Sequence, residues 1–244
     1  MKKYGLIGYP LSHSFSKKYF TEKFLNESIT DASYELYPIA DISALIGLLA
    51  EDPALVGLNV TIPYKEKVIP YLSELSPVVE AIGACNCIKI SEGKLIGYNT
   101  DVIGFEKSLK KKLKPHHTKA LILGTGGSSK AVQFVLNKLG ISFIKISRSK
   151  TAETSTYEEI DEALLSTHTL IVNTSPLGMF PNVEECPAIP YQFLNASHYL
   201  FDLVYNPPKT TFLALGEKMG AAIENGSDML VDQAEASWEI WNEM

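Results

Sequence analysis

Lys119-Ala120-Leu121-Ile122-Leu123-Gly124-Thr125-Gly126-Gly127-Ser128-Ser129 decides the fold of this chain. Ala120–Leu123 is a short, unbroken apolar run bounded by a turn, which predicts a strand buried on both faces. Gly124–Gly127 is the turn, Ser129–Leu139 has the spacing of an amphipathic helix closed by Gly140, and Phe143–Ile146 predicts the next strand. Together they form one βαβ unit of about 30 residues. Between such a strand and helix, Gly124-x-Gly126 reads as a dinucleotide fingerprint. The first glycine permits the tight turn, and the second lets a pyrophosphate approach the backbone at the positive end of the helix. Ser129 stands in place of a third glycine and is small enough for close helix–strand packing. Gly124, Thr125, Gly126, Gly127 and Ser128 are therefore the candidate phosphate cradle.

The end of the second strand selects the cofactor. NAD-binding folds usually place a carboxylate there to hold the ribose 2′-hydroxyl. Here the strand runs into Ser147-Arg148-Ser149-Lys150, and no acidic residue occurs from Lys119 to Ala152. A guanidinium flanked by hydroxyls suits a 2′-phosphate, which a carboxylate would repel. Ser147, Arg148 and Ser149 thus predict NADP(H) as the cofactor; Arg148 taken alone is also an ordinary solvated charge.

Outward from this unit, Leu170–Asn173 and Tyr199–Val204 predict two further strands and Met229–Trp241 a closing helix. Upstream, strands are expected at Tyr4–Ile7, Tyr34–Tyr37 and Gly57–Thr61, and a helix at Phe15–Asn26. Leu45–Leu49 and Val68–Leu72 carry helical spacing, and Cys87–Ile90 with Leu95–Tyr98 flank a hairpin turn. The Lys-rich segment Lys107–Lys119 reads as a helix running into a linker, a candidate domain boundary. The fold class is α/β, with a first alternating half joined to a dinucleotide-binding half.

The composition narrows the function. The chain has 244 residues and a net charge of −6 from 22 basic and 28 acidic side chains, with 45% apolar residues. That excludes a disordered chain and gives no footprint for nucleic acid or an anionic membrane surface. No apolar run is long enough to span a bilayer, and the N-terminus lacks the apolar core of a signal peptide. Cys85, Cys87 and Cys186 make neither a disulfide framework nor a zinc set and read as reduced thiols, so a cytoplasmic location is expected. No metal is expected: His116 and His117 look linker-like, and His13, His168 and His198 are isolated.

Three polar clusters lie ahead of the fingerprint: Gly8–Ser16, Gly57–Glu66, and Gly83–Asn86 with Asn99–Phe105. Their hydroxyls, amides, one lysine and one aspartate suit a neutral polyol bearing one anionic group. Asn59-Val60-Thr61-Ile62-Pro63-Tyr64-Lys65, Gly83-Ala84-Cys85-Asn86 and Asn99-Thr100-Asp101-Val102-Ile103-Gly104-Phe105 precede the glycine turn. Asn173–Met179, Asp202–Pro207 and Met229–Gln233 follow it. In this order and spacing the chain resembles the shikimate dehydrogenase family over essentially its whole length.

The resemblance implies an N-terminal α/β substrate domain of residues 1–101, completed by C-terminal helices at about 226–244. It implies a Rossmann NADP-binding domain of residues 102–225, with the active site in the cleft between. The implied reaction is the reversible NADPH-dependent reduction of 3-dehydroshikimate to shikimate, on the route to chorismate and the aromatic amino acids. Carried over, Ser14 and Ser16 would hold the substrate carboxylate, Tyr205 would sit near it, and Asn59, Thr61, Asn86 and Gln233 would bond the ring hydroxyls. Lys65 would be the acid/base and Asp101 its orienting partner, while Thr174, Val204 and Gly226 would join the cofactor site. Each serine and amide taken singly is also an ordinary cap or structural hydrogen-bonder. The protein would be a monomer or homodimer.

Lys17–Thr21 replaces the family's usual Pro and His-Asn, Ser147 and Ser149 flank Arg148 in place of Asn and Thr, and Asp228 replaces a glycine. The alternatives are an NAD-using quinate/shikimate relative and a non-catalytic nucleotide-binding regulator on the same fold. Retention of both Lys65 and Asp101 argues against the regulator.

Overall fold

The computed structural model describes residues 1–11 and 14–243; Ser12 and His13 of the first polar cluster lie outside the described residues. Two compact units are present, Met1–Thr100 with Gln233–Met244, and Asp101–Asp232.

In the first unit, β1 (Lys2–Gly8), β2 (Ala32–Pro38), β3 (Leu55–Val60), β4 (Glu74–Leu75), β5 (Cys87–Ser91) and β6 (Lys94–Tyr98) form one sheet in the order β2-β1-β3-β5-β6-β4. β1 is parallel to both β2 and β3, and the β5–β6 hairpin adds antiparallel strands. Its turn has positive φ at Glu92 (52°) and Gly93 (76°), the pair a type I′ turn requires. Helices α1 (Phe15–Asn26), α2 (Ala44–Glu51) and α3 (Pro77–Ile82) connect the strands. Because the chain leaves β1 toward β2 on one side and returns to β3 on the other, strand order reverses at β1. The loops leaving the carboxyl ends of β1 and β3 therefore flank a crevice, where ligands bind in open α/β sheets.

The helical spacing of Val68–Leu72 gives only a 3₁₀ turn at Ile69–Tyr71, because Pro70 removes a backbone donor.

In the second unit, α4 (Asp101–Lys110) leads into a wholly parallel sheet of β7 (Lys119–Leu123), β8 (Ser142–Ser147), β9 (Thr154–Thr156), β10 (Leu170–Asn173), β11 (Tyr199–Asp202) and β12 (Ala222–Glu224). The order β12-β11-β10-β7-β8-β9 is the six-strand Rossmann arrangement, with its switch point between β7 and β10. Helices α5 (Gly127–Lys138), α6 (Glu162–Thr167), α7 (Thr211–Lys218) and α8 (Ser227–Asn242) complete the elements. Coverage on both faces explains the unbroken apolar strands: Ala120, Leu121, Ile122 and Leu123 are all fully buried.

The Lys-rich segment is not a linker. α4 belongs to the second unit, and Lys107, Lys111 and Lys112 pair with Asp232 (2.5 Å), Asp228 (2.5 Å) and Glu224 (2.8 Å). Nor is His117 linker-like: it is buried against Tyr199, its Nδ1 accepting from Lys114 N–H (2.9 Å) and its Nε2 facing the Ser197 carbonyl (3.1 Å). Burial lowers the pKa of His117, His168 and His198, so these three are neutral core hydrogen-bonders.

From Gln233 onward α8 belongs to the first unit, where it packs on the sheet. Trp241 stacks on Tyr4 at 4.9 Å and donates its indole N–H to the Ile88 carbonyl (2.9 Å). The indole lies where a Cβ on Gly57 would be, so the glycine allows the ring to rest on β3. Phe20 and Tyr34 stack at 4.5 Å beneath the same helix, fixing α1 to β2.

Candidate active site

In the first unit the expected site residues gather at the carboxyl ends of β1 and β3. Thr61 and Lys65 lie in the loop after β3. Thr61 N–H donates to the Ile7 carbonyl (3.0 Å) and Tyr64 N–H to the Thr61 carbonyl (2.9 Å), which closes the loop as a turn. Cys85 N–H donates to the Lys65 carbonyl (2.7 Å) and ties that turn to the segment before β5. Gly83, at φ 63°, ends α3 in the left-handed conformation and redirects the chain so that Asn86 enters β5.

Behind this loop a buried polar network joins six segments. Asn59 sits on β3, 4% exposed. Its amide donates to the Asn86 carbonyl (3.3 Å) and to Ser237 Oγ (2.9 Å), and its Oδ1 accepts from the Tyr34 hydroxyl (2.8 Å). Asn86 Oδ1 accepts from Thr100 N–H (2.6 Å), and its amide donates to Thr100 Oγ1 (3.0 Å). Thr100 Oγ1 lies 3.1 Å from Ser237 Oγ, which donates to the carbonyl of Gln233 one turn earlier (2.9 Å). Ser16 hydrogen-bonds the Tyr34 side chain, whose hydroxyl is held protonated far above its ordinary range by burial. Ser16, Asn59, Asn86 and Gln233 are thus brought together within one network. Ser14 caps α1, its Oγ facing Lys17 N–H at 3.5 Å.

The segment that departs from the family pattern is absorbed into α1. Lys17 pairs with Glu35 (2.6 Å), Phe20 is fully buried, and Thr21 Oγ1 donates to the Lys17 carbonyl (2.7 Å). Tyr19 donates its hydroxyl to Glu235, which also accepts from the buried Lys23 (2.9 Å).

The second unit carries the remaining residues. Asp101 is the first residue of α4 and is buried. Gly124 has φ 110°, and a Cβ there would meet Thr174 Oγ1 at 2.9 Å, so this glycine is needed for both its conformation and its contact. Thr174 N–H and Oγ1 both donate to the Leu123 carbonyl (each 2.9 Å), locking the β7 and β10 loops together across the switch point. Gly126 differs: its φ is −73° and a Cβ there would meet no atom of the chain within 4 Å. The protein does not need this glycine for its own packing, and the space before the α5 N-terminus is open to a phosphate. Ser129 is fully buried, with Oγ donating to the Gly126 carbonyl (2.7 Å).

At the end of β8, Ser147 Oγ accepts from Ser149 N–H (3.2 Å) and Arg148 is exposed. Neighbouring Lys145 and Lys150 are neutralised by Glu153 and Glu159, acids that lie just beyond the acid-free stretch. Arg148 is in no ion pair among the described residues, which leaves it available to an anion.

After β11, Val204 N–H donates to Asp202 Oδ1 (3.0 Å) and its carbonyl accepts from Gly226 N–H (3.2 Å). Gly226 packs so closely that a Cβ would collide with the Leu203 carbonyl oxygen. Burial pushes the Asp202 carboxyl up to about 6, although Thr210 Oγ1 (2.6 Å) and the Asn173 amide (2.9 Å) also donate to it. Tyr205 is half-buried, which raises its pKa. Asp228 is exposed and paired with Lys111, so its charge is largely compensated.

The sequence reading missed Tyr34 and Ser237. Tyr34 looks like a routine strand residue, and Ser237 like the small residue of an amphipathic helix; its place four residues after Gln233 is the one available signal. No helix among the described residues is long and apolar enough to cross a membrane.

Residues 6–88 match the model of the shikimate dehydrogenase substrate-binding domain. The chain is 35% identical to a shikimate dehydrogenase (NADP(+)) of Caldicellulosiruptor bescii over 99% of its own length and 89% of the relative's. It is 37% identical to that of Clostridium beijerinckii over 100% and 93%. Among solved structures, shikimate 5-dehydrogenase from Thermus thermophilus, in complex with NADP(H) and shikimate, superposes with a TM-score of 0.88 at 28% identity, covering 100% of this chain and 94% of that one. With this identity sustained from end to end, the chain belongs to the shikimate dehydrogenase family.

Proposed function

We propose that this protein catalyses the reversible reduction of 3-dehydroshikimate to shikimate with NADPH, in the biosynthesis of chorismate and aromatic amino acids. The observation that carries this reading is the buried amide–hydroxyl network that joins Asn59, Asn86 and the Gln233 turn behind the Lys65 loop. Rigid, desolvated amides and hydroxyls suit a polyol, because the network fixes their orientation before the substrate arrives.

In this reading residues 1–101, with about 226–244, form the substrate domain, and 102–225 the NADP domain. Ser14 and Ser16 hold the substrate carboxylate, with Tyr205 near it; Asn59, Thr61, Asn86 and Gln233 hold the ring hydroxyls. Lys65 donates a proton to the carbonyl oxygen during reduction and takes it back from the alcohol during oxidation. Asp101 accepts a hydrogen bond that orients the ammonium.

The residues of the second unit fit NADP(H). Gly124, Thr125, Gly126, Gly127 and Ser128 would hold its pyrophosphate at the open α5 N-terminus. Ser147, Arg148 and Ser149 would hold the 2′-phosphate, and Thr174, Val204 and Gly226 would line the remainder. NADPH supplies the hydride when bound; the chain supplies position and the proton. The protein would act in the cytoplasm as a monomer or homodimer.

A four-way assay at 340 nm tests the assignment: shikimate or quinate, each with NADP⁺ or NAD⁺. Shikimate with NADP⁺ is expected to exceed every other pair in kcat/KM by at least about tenfold. Comparable turnover of quinate or of NAD⁺ would move the protein to the broader quinate/shikimate class.

A further inference from the structure

The structure assigns Ser237 a role that rests on this reading and deepens it: Ser237, with Tyr34, is the positioning residue for the substrate-recognising amides. Ser237 is fully buried on α8 and makes polar contact with three segments besides its own helix. Its Oγ accepts from the Asn59 amide on β3 (2.9 Å), lies 3.1 Å from Thr100 Oγ1 and hydrogen-bonds the Cys87 side chain on β5. Within α8 the hydroxyl donates to the Gln233 carbonyl (2.9 Å). Thr100 in turn binds both ends of the Asn86 amide (2.6 and 3.0 Å). One hydroxyl therefore links the backbone of Gln233 to the side chains of Asn59 and, through Thr100, Asn86.

Tyr34 acts from the opposite side. Its hydroxyl donates to Asn59 Oδ1 (2.8 Å), so the Asn59 amide is gripped at both ends and its O/N orientation is fixed. The Phe20 ring stacked on Tyr34 holds that hydroxyl in place, and Ser16 bonds it. Ser237 and Tyr34 thus form the far wall of the recognition network and act on the substrate through Asn59, Asn86 and Gln233.

The test compares Ser237→Ala, Tyr34→Phe and the double variant with the unaltered enzyme. Each change removes one hydroxyl and little volume. The KM for shikimate is expected to rise about tenfold in either single variant, the size expected when a buried polar group loses a partner. The KM for NADP⁺ should stay within about twofold. Because both hydroxyls grip the same amide, the double variant should raise the shikimate KM by less than the product of the single effects. A purely structural role would lower the melting temperature and leave the shikimate KM unchanged, or raise the KM of both substrates together; either result overturns the proposal. If Ser237→Ala does not fold, Tyr34→Phe decides by the same split. Absence of shikimate turnover in the unaltered, folded enzyme would instead overturn the functional reading itself.

Discussion

Lys65→Ala is expected to lower kcat about 10²–10⁴-fold while the KM for shikimate changes less than about threefold. The size follows from what the residue does. A proton must reach the carbonyl oxygen as the alcohol forms, and the other substrate contacts proposed for the first unit carry hydroxyls and amides. Without Lys65 the proton would have to come from water, whereas on the proposed assignment ground-state binding would still rest on Ser14, Ser16, Asn59, Thr61, Asn86 and Gln233. The backbone should not move, because Cys85 N–H bonds the Lys65 carbonyl and not its side chain. Steady-state kinetics on folded protein checks this. Near-normal turnover would remove Lys65 from the chemistry, and a KM effect with kcat intact would make it a binding residue only.

Arg148→Ala should raise the KM for NADP⁺ by about 10–100-fold and leave that for NAD⁺ within about twofold. Charge-assisted hydrogen bonds contribute about 1.5–3 kcal/mol each, which converts to this range. The selectivity follows because the cofactors differ by the 2′-phosphate alone. Arg148 is the residue to change, because Lys145 and Lys150 on either side are already paired with Glu153 and Glu159. Equal weakening of NAD⁺ and NADP⁺ would contradict the assignment and place Arg148 in the general stability of the β8 turn.

Much of this was legible because it is local. The Ala120–Leu123 run, the glycine turn and the α5 spacing each specify one conformation, and all agree with a parallel sheet closed on both faces. α1 falls at Phe15–Asn26 as its spacing requires, with Ser14 as its cap. The errors arose where tertiary contacts outweigh composition. A run of lysines reads as the start of a linker until Asp228, Asp232 and Glu224, more than a hundred residues away in sequence, pair with it. His117 looks like part of a linker until Tyr199 covers it. Candidate contacts such as Asn59 and Asn86 could be named from the motifs that carry the family resemblance, but not what holds them. Their partners, Tyr34 and Ser237, are as far as 178 residues apart from them in sequence and carry no motif of their own.

The most direct measurement is the reaction in the reductive direction. Purified protein is mixed with 3-dehydroshikimate and NADPH, absorbance is followed at 340 nm, and the product is identified by chromatography against authentic shikimate. The account predicts stoichiometric consumption of NADPH and formation of shikimate, abolished to within about 1% of the original rate by Lys65→Ala. Folded protein that binds NADPH but forms no shikimate would contradict it.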